Sequence, residues 1–470
     1  MKRIHVLLAA ILIFAMLAAC GGKQAEEAPA VQPEAQVPQN TEPVVQPEPE
    51  PPKADIGGTE LTYDVTSLDL TSMAFEFDKL MEASANLTAV TEISLGTTEL
   101  TAEQIAALQE AYPAAAVDYT VALFDQVLPK DTETLDLAAM TADQTDELVD
   151  ALALLPAVKE INFVSEEGIC VYTTETIAEL DKVQAAAPDA YLKVCFDLFG
   201  QIVTSEDERI EYYLVEVGNE GTETVRAVLP YLKSCTYFLM DGCGVDNEVM
   251  AQLREDFPET KIVWRIWLTE PNYNDRTLVR AASVLTDTHR VRTTYVRDNN
   301  VHNLYYCNET KYVDVGHVSC LTDVSFLAYM PDLEVCIIAI TAITDITPLA
   351  NHDKLEYLEL FTTPLADLTP LATCPNLEHL NISNMPNLKD ITPIYGLQNL
   401  KRLRMVSNPM LPNSMKEEVE VMLPNCEIMN QGIWPTGWFW RYDENQEMVP
   451  RYALLREQME YEIDFSYGIP

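Results

Sequence analysis

Leu333-Glu334-Val335-Cys336-Ile337-Ile338 returns as Leu355-Glu356-Tyr357-Leu358-Glu359-Leu360, then as Leu377-Glu378-His379-Leu380-Asn381-Ile382, and again as Leu400-Lys401-Arg402-Leu403-Arg404-Met405. The starts lie 22, 22 and 23 residues apart. Between them runs a second motif: Ile343-Thr-Asp345-Ile-Thr347-Pro348-Leu349, Leu365-Ala-Asp367-Leu-Thr369-Pro370-Leu371 and Leu388-Lys-Asp390-Ile-Thr392-Pro393-Ile394, with an earlier copy at Leu321-Thr-Asp323-Val-Ser325-Phe326-Leu327. Within each short strand, alternate side chains face opposite ways, so the leucine positions point one way and the residues between them the other. One such unit cannot bury its apolar face alone; stacked units bury it together. A period of 22 therefore predicts a curved stack of parallel strands with one buried and one outward column set.

This L-x-x-L-x-L pattern at a period of 20 to 29 is the signature of leucine-rich repeats. Over about residues 310–410 the stretch resembles the 22-residue repeats of the internalin type. The asparagine usual after the strand is replaced by Thr341 and Thr363, is kept at Asn408, and is displaced by one at Asn384. The resemblance implies an α/β leucine-rich-repeat solenoid whose concave face binds a protein partner. The outward residues would then be Tyr312 and Asp314; Val335, Ile337 and Ala339; Tyr357, Glu359 and Phe361; His379, Asn381 and Ser383; Arg402, Arg404 and Val406. Val335, Ile337, Tyr357 and Phe361 would adjoin one another, and clustered apolar residues on an exposed face suggest a contact surface. Arg402 and Arg404 at one end, with Asp314 and Glu359 elsewhere, would orient that partner. The alternative is a concave face covered by the C-terminal segment or left unused.

Upstream the pattern loosens. Val65-x-x-Leu68-x-Leu70 is echoed 67 residues later by Thr132-x-x-Leu135-x-Leu137, and Val90-x-x-Ile93-x-Leu95 is echoed 68 residues later by Val158-x-x-Ile161-x-Phe163. Helical stretches end at Pro113, Pro188 and Pro258, each followed by a strand-like run. Ile93 to Leu108 resembles the longer repeats of ribonuclease-inhibitor type, with a helix on the convex side. Residues 58–275 therefore read as three strand–helix–strand–helix–strand units, the alternative being an unrelated α/β domain. Residues 276–430 carry the regular repeats.

The first residues bear on the compartment. Lys2 and Arg3 precede an apolar run from Val6 to Ala19, too short for a spanning helix and suited to a signal peptide. Leu17-Ala18-Ala19-Cys20 resembles the bacterial lipobox, which implies removal of residues 1–19 and lipidation of Cys20. The rest of the segment to residue 57 has eight prolines after residue 22 among Glu, Gln, Ala and Val. Such a composition favours an extended, disordered linker, and roughly 33 residues at about 3.1 Å each would reach on the order of 100 Å. The expected location is the extracytoplasmic face of a bacterial membrane, with membrane contact through the lipid alone.

Charge excludes one class of partner. With 74 acidic and 30 basic residues the formal net charge is −44, which repels nucleic-acid phosphates. The nine cysteines after Cys20 show no metal or redox spacing. Cys336 sits at an inward position, most of the others read as core, and Cys235 with Cys243 could pair. No G-x-S-x-G, H-E-x-x-H or phosphate-loop motif occurs, and the six histidines show no ligand spacing, so neither an enzyme nor a metal or cofactor site is expected. An unrecognised hydrolase within 58–275 is the residual enzymatic reading.

Two clusters remain. Arg276, Arg280, Arg290, Arg292 and Arg297 form a basic island in an acidic chain, to be paired internally or to hold an anionic ligand such as a wall polymer. Residues 431–470 contain Trp434, Trp438 and Trp440, read as a cap over the last repeat, with cell-wall glycan binding as the alternative.

Overall fold

A computed structural model describes residues 51–270, 280–437 and 439–461. The lipobox and Cys20, most of the proline-rich stretch, Arg276 and Trp438 lie outside the described residues. The described residues from Ala54 onward form one compact unit, so the irregular and regular repeats are continuous rather than separate domains. Among the described residues β1 (Lys53–Asp55) and β2 (Glu60–Thr62) come first, β1 within the stretch read from composition as linker.

Three similar units follow. The first contains β3 (Ser67–Asp69), α1 (Phe77–Ala83), β4 (Glu92–Thr97), α2 (Ala102–Ala111) and β5 (Ala116–Leu123), closed by β6 (Gln126–Pro129). The second runs β7 (Thr134–Asp136), α3 (Thr145–Leu152), β8 (Glu160–Asn162), α4 (Ile177–Ala186) and β9 (Tyr191–Lys193), then β10 (Cys195–Leu198) and β11 (Gln201–Thr204). The third has β12 (Arg209–Tyr213), α5 (Gly218–Val228), β13 (Tyr237–Asp241), α6 (Asn247–Asp256), β14 (Lys261–Glu270) and β15 (Arg280–Leu285). Within each unit three strands pair in parallel, and an antiparallel hairpin closes it. The hairpin β14–β15 carries the third unit to residue 285, past the boundary expected at 275.

Helix starts follow local chemistry. At α2 the Thr101 hydroxyl accepts from the Gln104 N–H while the Gln104 side chain accepts from the Thr101 N–H, a reciprocal cap that satisfies two otherwise orphaned donors. The second unit is stapled by a disulfide between Cys170 and Cys195, while Cys235 and Cys243, which the sequence left as a possible pair, are both free and buried. Each is better used as a small apolar side chain in the core.

The regular repeats supply one seven-stranded parallel sheet: β16 (Arg290–Arg292), β17 (Tyr312–Asp314), β18 (Val335–Ile337), β19 (Tyr357–Glu359), β20 (His379–Asn381), β21 (Arg402–Arg404) and β22 (Glu427–Met429). The register aligns Val291, Val313, Cys336, Leu358, Leu380 and Leu403, all fully buried, in one inward column. This is a leucine-rich-repeat solenoid. The convex side is built by the second motif. Asp345, Asp367 and Asp390 each accept the backbone N–H two residues on at 2.8 Å, which starts a 3-10 turn that proline then extends without needing a donor. Those bonds hold Asp345 and Asp367 below the usual carboxylate range, the threonine hydroxyl contributing most.

At the bend after each strand Thr341 and Thr363 donate to Ile338 and Leu360 carbonyls at 2.7 and 2.8 Å. Asn408 instead ties two repeats, donating to the Ile382 carbonyl and accepting the Met385 N–H. The same corner places His317, Ile340, Thr362, Asn384 and Ser407 at positive φ, repeating with the solenoid period. The last repeat is closed by α7 (Asn413–Met422) and β22, with Val419 and Leu423 buried over its core.

Candidate functional site: the occupied concave face

Outward residues of β17 to β21 stand on the face of the sheet opposite the leucine core, as alternation requires. They are not open to solvent. Val335, Ile337, Tyr357, Glu359, Phe361, His379, Asn381 and Arg404 are buried, and Tyr312, Asp314 and Arg402 are half-buried. What covers them is the chain's own C-terminal segment, including α8 (Pro450–Gln458). Val335, Ile337, Ala339, Tyr357 and Phe361 form a second hydrophobic cluster with Trp440, Tyr452, Leu455 and Met459. The expected free binding face is thus an internal interface, and the aromatic segment covers the concave side rather than capping the last repeat. The physical reason is the apolar outward column itself: such a surface on a sheet one strand thick is stable only when covered.

Glu359 anchors the cover. Its side chain is fully buried. One carboxylate oxygen accepts the Trp440 indole N–H at 2.6 Å and the Tyr357 hydroxyl; the other accepts from Arg441 at 3.2 Å. A buried carboxylate is tolerable only with such donors, and two of the three come from the C-terminal segment. Burial and the Glu359 charge push the Tyr357 hydroxyl well above its ordinary pKa. Trp440 packs on Tyr357 with ring centres 5.5 Å apart, and Arg451 lies 4.8 Å over the Tyr357 ring.

The remaining candidates are consumed by the same segment. Asn381 donates to the Pro435 carbonyl at 2.9 Å and Arg404 to the Trp434 carbonyl at 2.6 Å. Arg402 pairs with Glu427 at 3.0 Å. Asp314 accepts the Tyr461 hydroxyl at 2.6 Å. His379 is pushed down to about 3 by burial and by the nearby Arg451, Arg402 and Lys401, so it is neutral at ordinary pH.

Three arginines of the basic island are also tied in; Arg276 and the side chain of Arg280 lie outside what is described. Arg290 pairs with Glu460 at 2.6 Å, Arg292 donates to the Glu460 carbonyl at 2.9 Å, and Arg297 bonds the Thr294 and Val296 carbonyls. Among the described residues no group of three or more histidine, cysteine or acidic side chains is placed to hold a metal ion, and no helix is long and apolar enough to cross a membrane.

The segment also presents an outer surface, made in part by the aromatic run that the sequence marks out. Ile433, Trp434, Phe439, Tyr442, Met448 and Leu454 are exposed, Trp434 to 72%. Several are neighbours: the Phe439 N–H donates to the Tyr442 carbonyl, and Tyr442 pairs antiparallel with Met448. Phe439 takes φ of +63°, a strained conformation for an aromatic residue.

No family model matches the chain, and no curated protein matches it. Among solved structures it is similar to internalin C2 of Listeria monocytogenes, at 23% identity over 29% of this chain and 70% of that one, TM-score 0.22. A second internalin of that species is 14% identical over 78% of this chain and 89% of that one, TM-score 0.27. A leucine-rich-repeat protein of Leptospira interrogans is 14% identical over 78% and 90%, TM-score 0.29. The fold assignment rests on the register of this chain's own repeats.

Proposed function

We propose that this chain is a non-enzymatic protein-binding scaffold, carried outside the membrane on a tether lipidated at Cys20, and that it engages its partner through the outer surface of the C-terminal segment. The observation that carries this reading is the set of apolar residues Trp434, Phe439, Tyr442 and Met448, left exposed on the segment that covers the sheet. Large exposed apolar groups rimmed by polar residues mark interaction sites more often than chance. Strain at an exposed aromatic such as Phe439 points the same way, because it persists only where the surroundings hold it. Exposed Glu444 and Glu447 lie between Tyr442 and Met448 in the chain, so the matching partner surface is apolar at its centre and basic at its rim. The glycan alternative loses one of its tryptophans, since the Trp440 indole is buried against Glu359.

The test is site-specific photocrosslinking on the native cell surface. A photoreactive residue at position 434 or 448 should capture one protein, in competition with excess unlabelled chain. A probe at the equally exposed Val127 should not. Capture at all three positions, or at none, would remove the proposal. The tether is tested separately: Cys20→Ala should move the protein from the membrane fraction to the soluble fraction.

A further inference from the structure

Beyond the covered strands the concave face continues as a cavity of about 890 Å³, at the junction of β15, β16 and β17 with the C-terminal segment. Its origin is a taper in one outward column. Two residues past the strand ends that pair as Asp314, Ile337 and Glu359, the column reads Gly316, Ala339 and Phe361. Phe361 fills the space beneath the cover, Ala339 fills less, and Gly316 fills none. The void opens where the side chains shrink.

The lining is unusual for so acidic a chain. Arg265, Arg290, Arg292, Arg441 and Arg456 all border it, five of the thirty basic residues. Three of these guanidinium groups are clamped by carboxylates. Arg265 is held in a fork by Asp241 at 2.5 and 2.6 Å, Arg290 by Glu460 and Arg441 by Glu359. An arginine has five N–H donors in a fixed plane, so these clamps, with the bonds from Arg265 to the Ser283 hydroxyl and from Arg290 to the Gln458 carbonyl, fix how each guanidinium faces the cavity. The same wall carries hydroxyls from Thr288, Thr293, Tyr295 and Tyr452, and the carboxylates Asp287 and Asp314. Oriented guanidinium groups recognise oxyanions, while hydroxyls and carboxylates recognise polyols. A volume near the upper end of the usual range for small-ligand sites leaves room for more than one ring.

The geometry points to a binding site for an acidic oligosaccharide, one whose sugar rings carry carboxylates, in the cavity between the third long unit and the first regular repeats. This site is separate from the exposed aromatic patch, so it stands or falls independently of partner binding there.

The experiment is calorimetric titration of the full chain with trigalacturonate and a hyaluronan tetrasaccharide, with neutral galactotriose as the matched control. The acidic probes should saturate with a Kd below about 1 mM, a modest affinity of roughly −4 kcal/mol. Galactotriose should give no saturable signal. Arg292→Gln and Arg456→Gln, each checked by circular dichroism for an intact fold, should weaken binding at least tenfold. Val127→Asp, exposed on β6 and away from the cavity, should leave it unchanged. Absence of saturable binding by either acidic probe, equal binding of the neutral sugar, or full affinity in both folded arginine variants would overturn the assignment.

Discussion

Trp440→Ala tests the covered face most directly. Trp440 is 3% exposed, packs tilted against Tyr357 and edge-on to His379, and donates its indole N–H to buried Glu359. Truncating a buried tryptophan to alanine typically removes 3–5 kcal/mol, and the loss of a charge-assisted hydrogen bond falls within the upper part of that range rather than adding to it fully. About 4 kcal/mol is a fair expectation. The question is where that energy is lost. The cluster containing Trp440 shares no member with the main leucine core, because the two lie on opposite faces of the sheet. A repeat solenoid draws its stability from the inward columns that adjacent repeats share, and Trp440 lies on the other face of the sheet. The segment should therefore release while the solenoid stays folded.

Hydrogen exchange measured by mass spectrometry separates the outcomes. At 1.36 kcal/mol per decade, 4 kcal/mol predicts about a thousandfold loss of amide protection in residues 440–460. Amides of β19 and β20, bonded to neighbouring strands, should keep theirs. An equal loss of protection at Leu358 and Leu380 would show that segment and solenoid unfold as one unit. Unchanged protection in 440–460 would show that Trp440 does not hold the cover, and the reasoning would fail.

Acid should loosen the cover, because His379 is held neutral beneath it: the stability is present above about pH 6.5 and is lost as pH falls toward 3. From pH 7 to 5 the docked segment should weaken by about 2 kcal/mol, read by exchange in residues 440–460, and His379→Gln should abolish that part of the pH dependence. Thr362 is exposed with φ of +59°, so Thr362→Asn should raise stability by up to about 1 kcal/mol, measured as an upward shift in Tm; a downward shift would mean that the corner is not strained. Cys170 and Cys195 are 25 residues apart, and reducing their bond should cost about 3 kcal/mol in denaturant unfolding, whereas an unchanged midpoint would show that the bond restrains nothing.

Periodicity made the inward column legible, because Leu358, Leu380 and Leu403 can only recur every 22 or 23 residues if each fills the same place in a stack. Alternation likewise separated Tyr357 and His379 from the leucines, and the Asp-x-Thr-Pro copies carried their own turn chemistry. The rest was hidden for identifiable reasons. Of the five residues at the positive-φ corner only His317 and Asn384 are types enriched there; Ile340 and Thr362 signal the reverse. The Cys170–Cys195 bond could not be read because spacing does not determine pairing. The cover was hidden because an apolar outward column states that something must lie on it, and not what. Trp440 meets Glu359 across 81 residues of sequence, and no local pattern links them.

The cover also sets what a concave-face partner would have to overcome. A ligand that needs Tyr357, Phe361 and His379 bare can bind only the fraction of molecules whose segment has left, and its apparent affinity falls by that fraction. Docking worth at least the about 4 kcal/mol assigned to Trp440 makes that reduction about a thousandfold or more. A ligand of the outer patch, on Trp434 and Met448, meets no such reduction, because docking is what presents that patch. Trp440→Ala therefore has opposite consequences for the two modes. It should strengthen a concave-face partner by up to about a thousandfold and weaken an outer-patch partner, since the patch loses its rigid support. Once a crosslinked partner is in hand, one affinity measurement on wild type and variant decides between them. A stronger complex with the variant would return the binding site to the leucine-rich-repeat face and make the C-terminal segment its competitor.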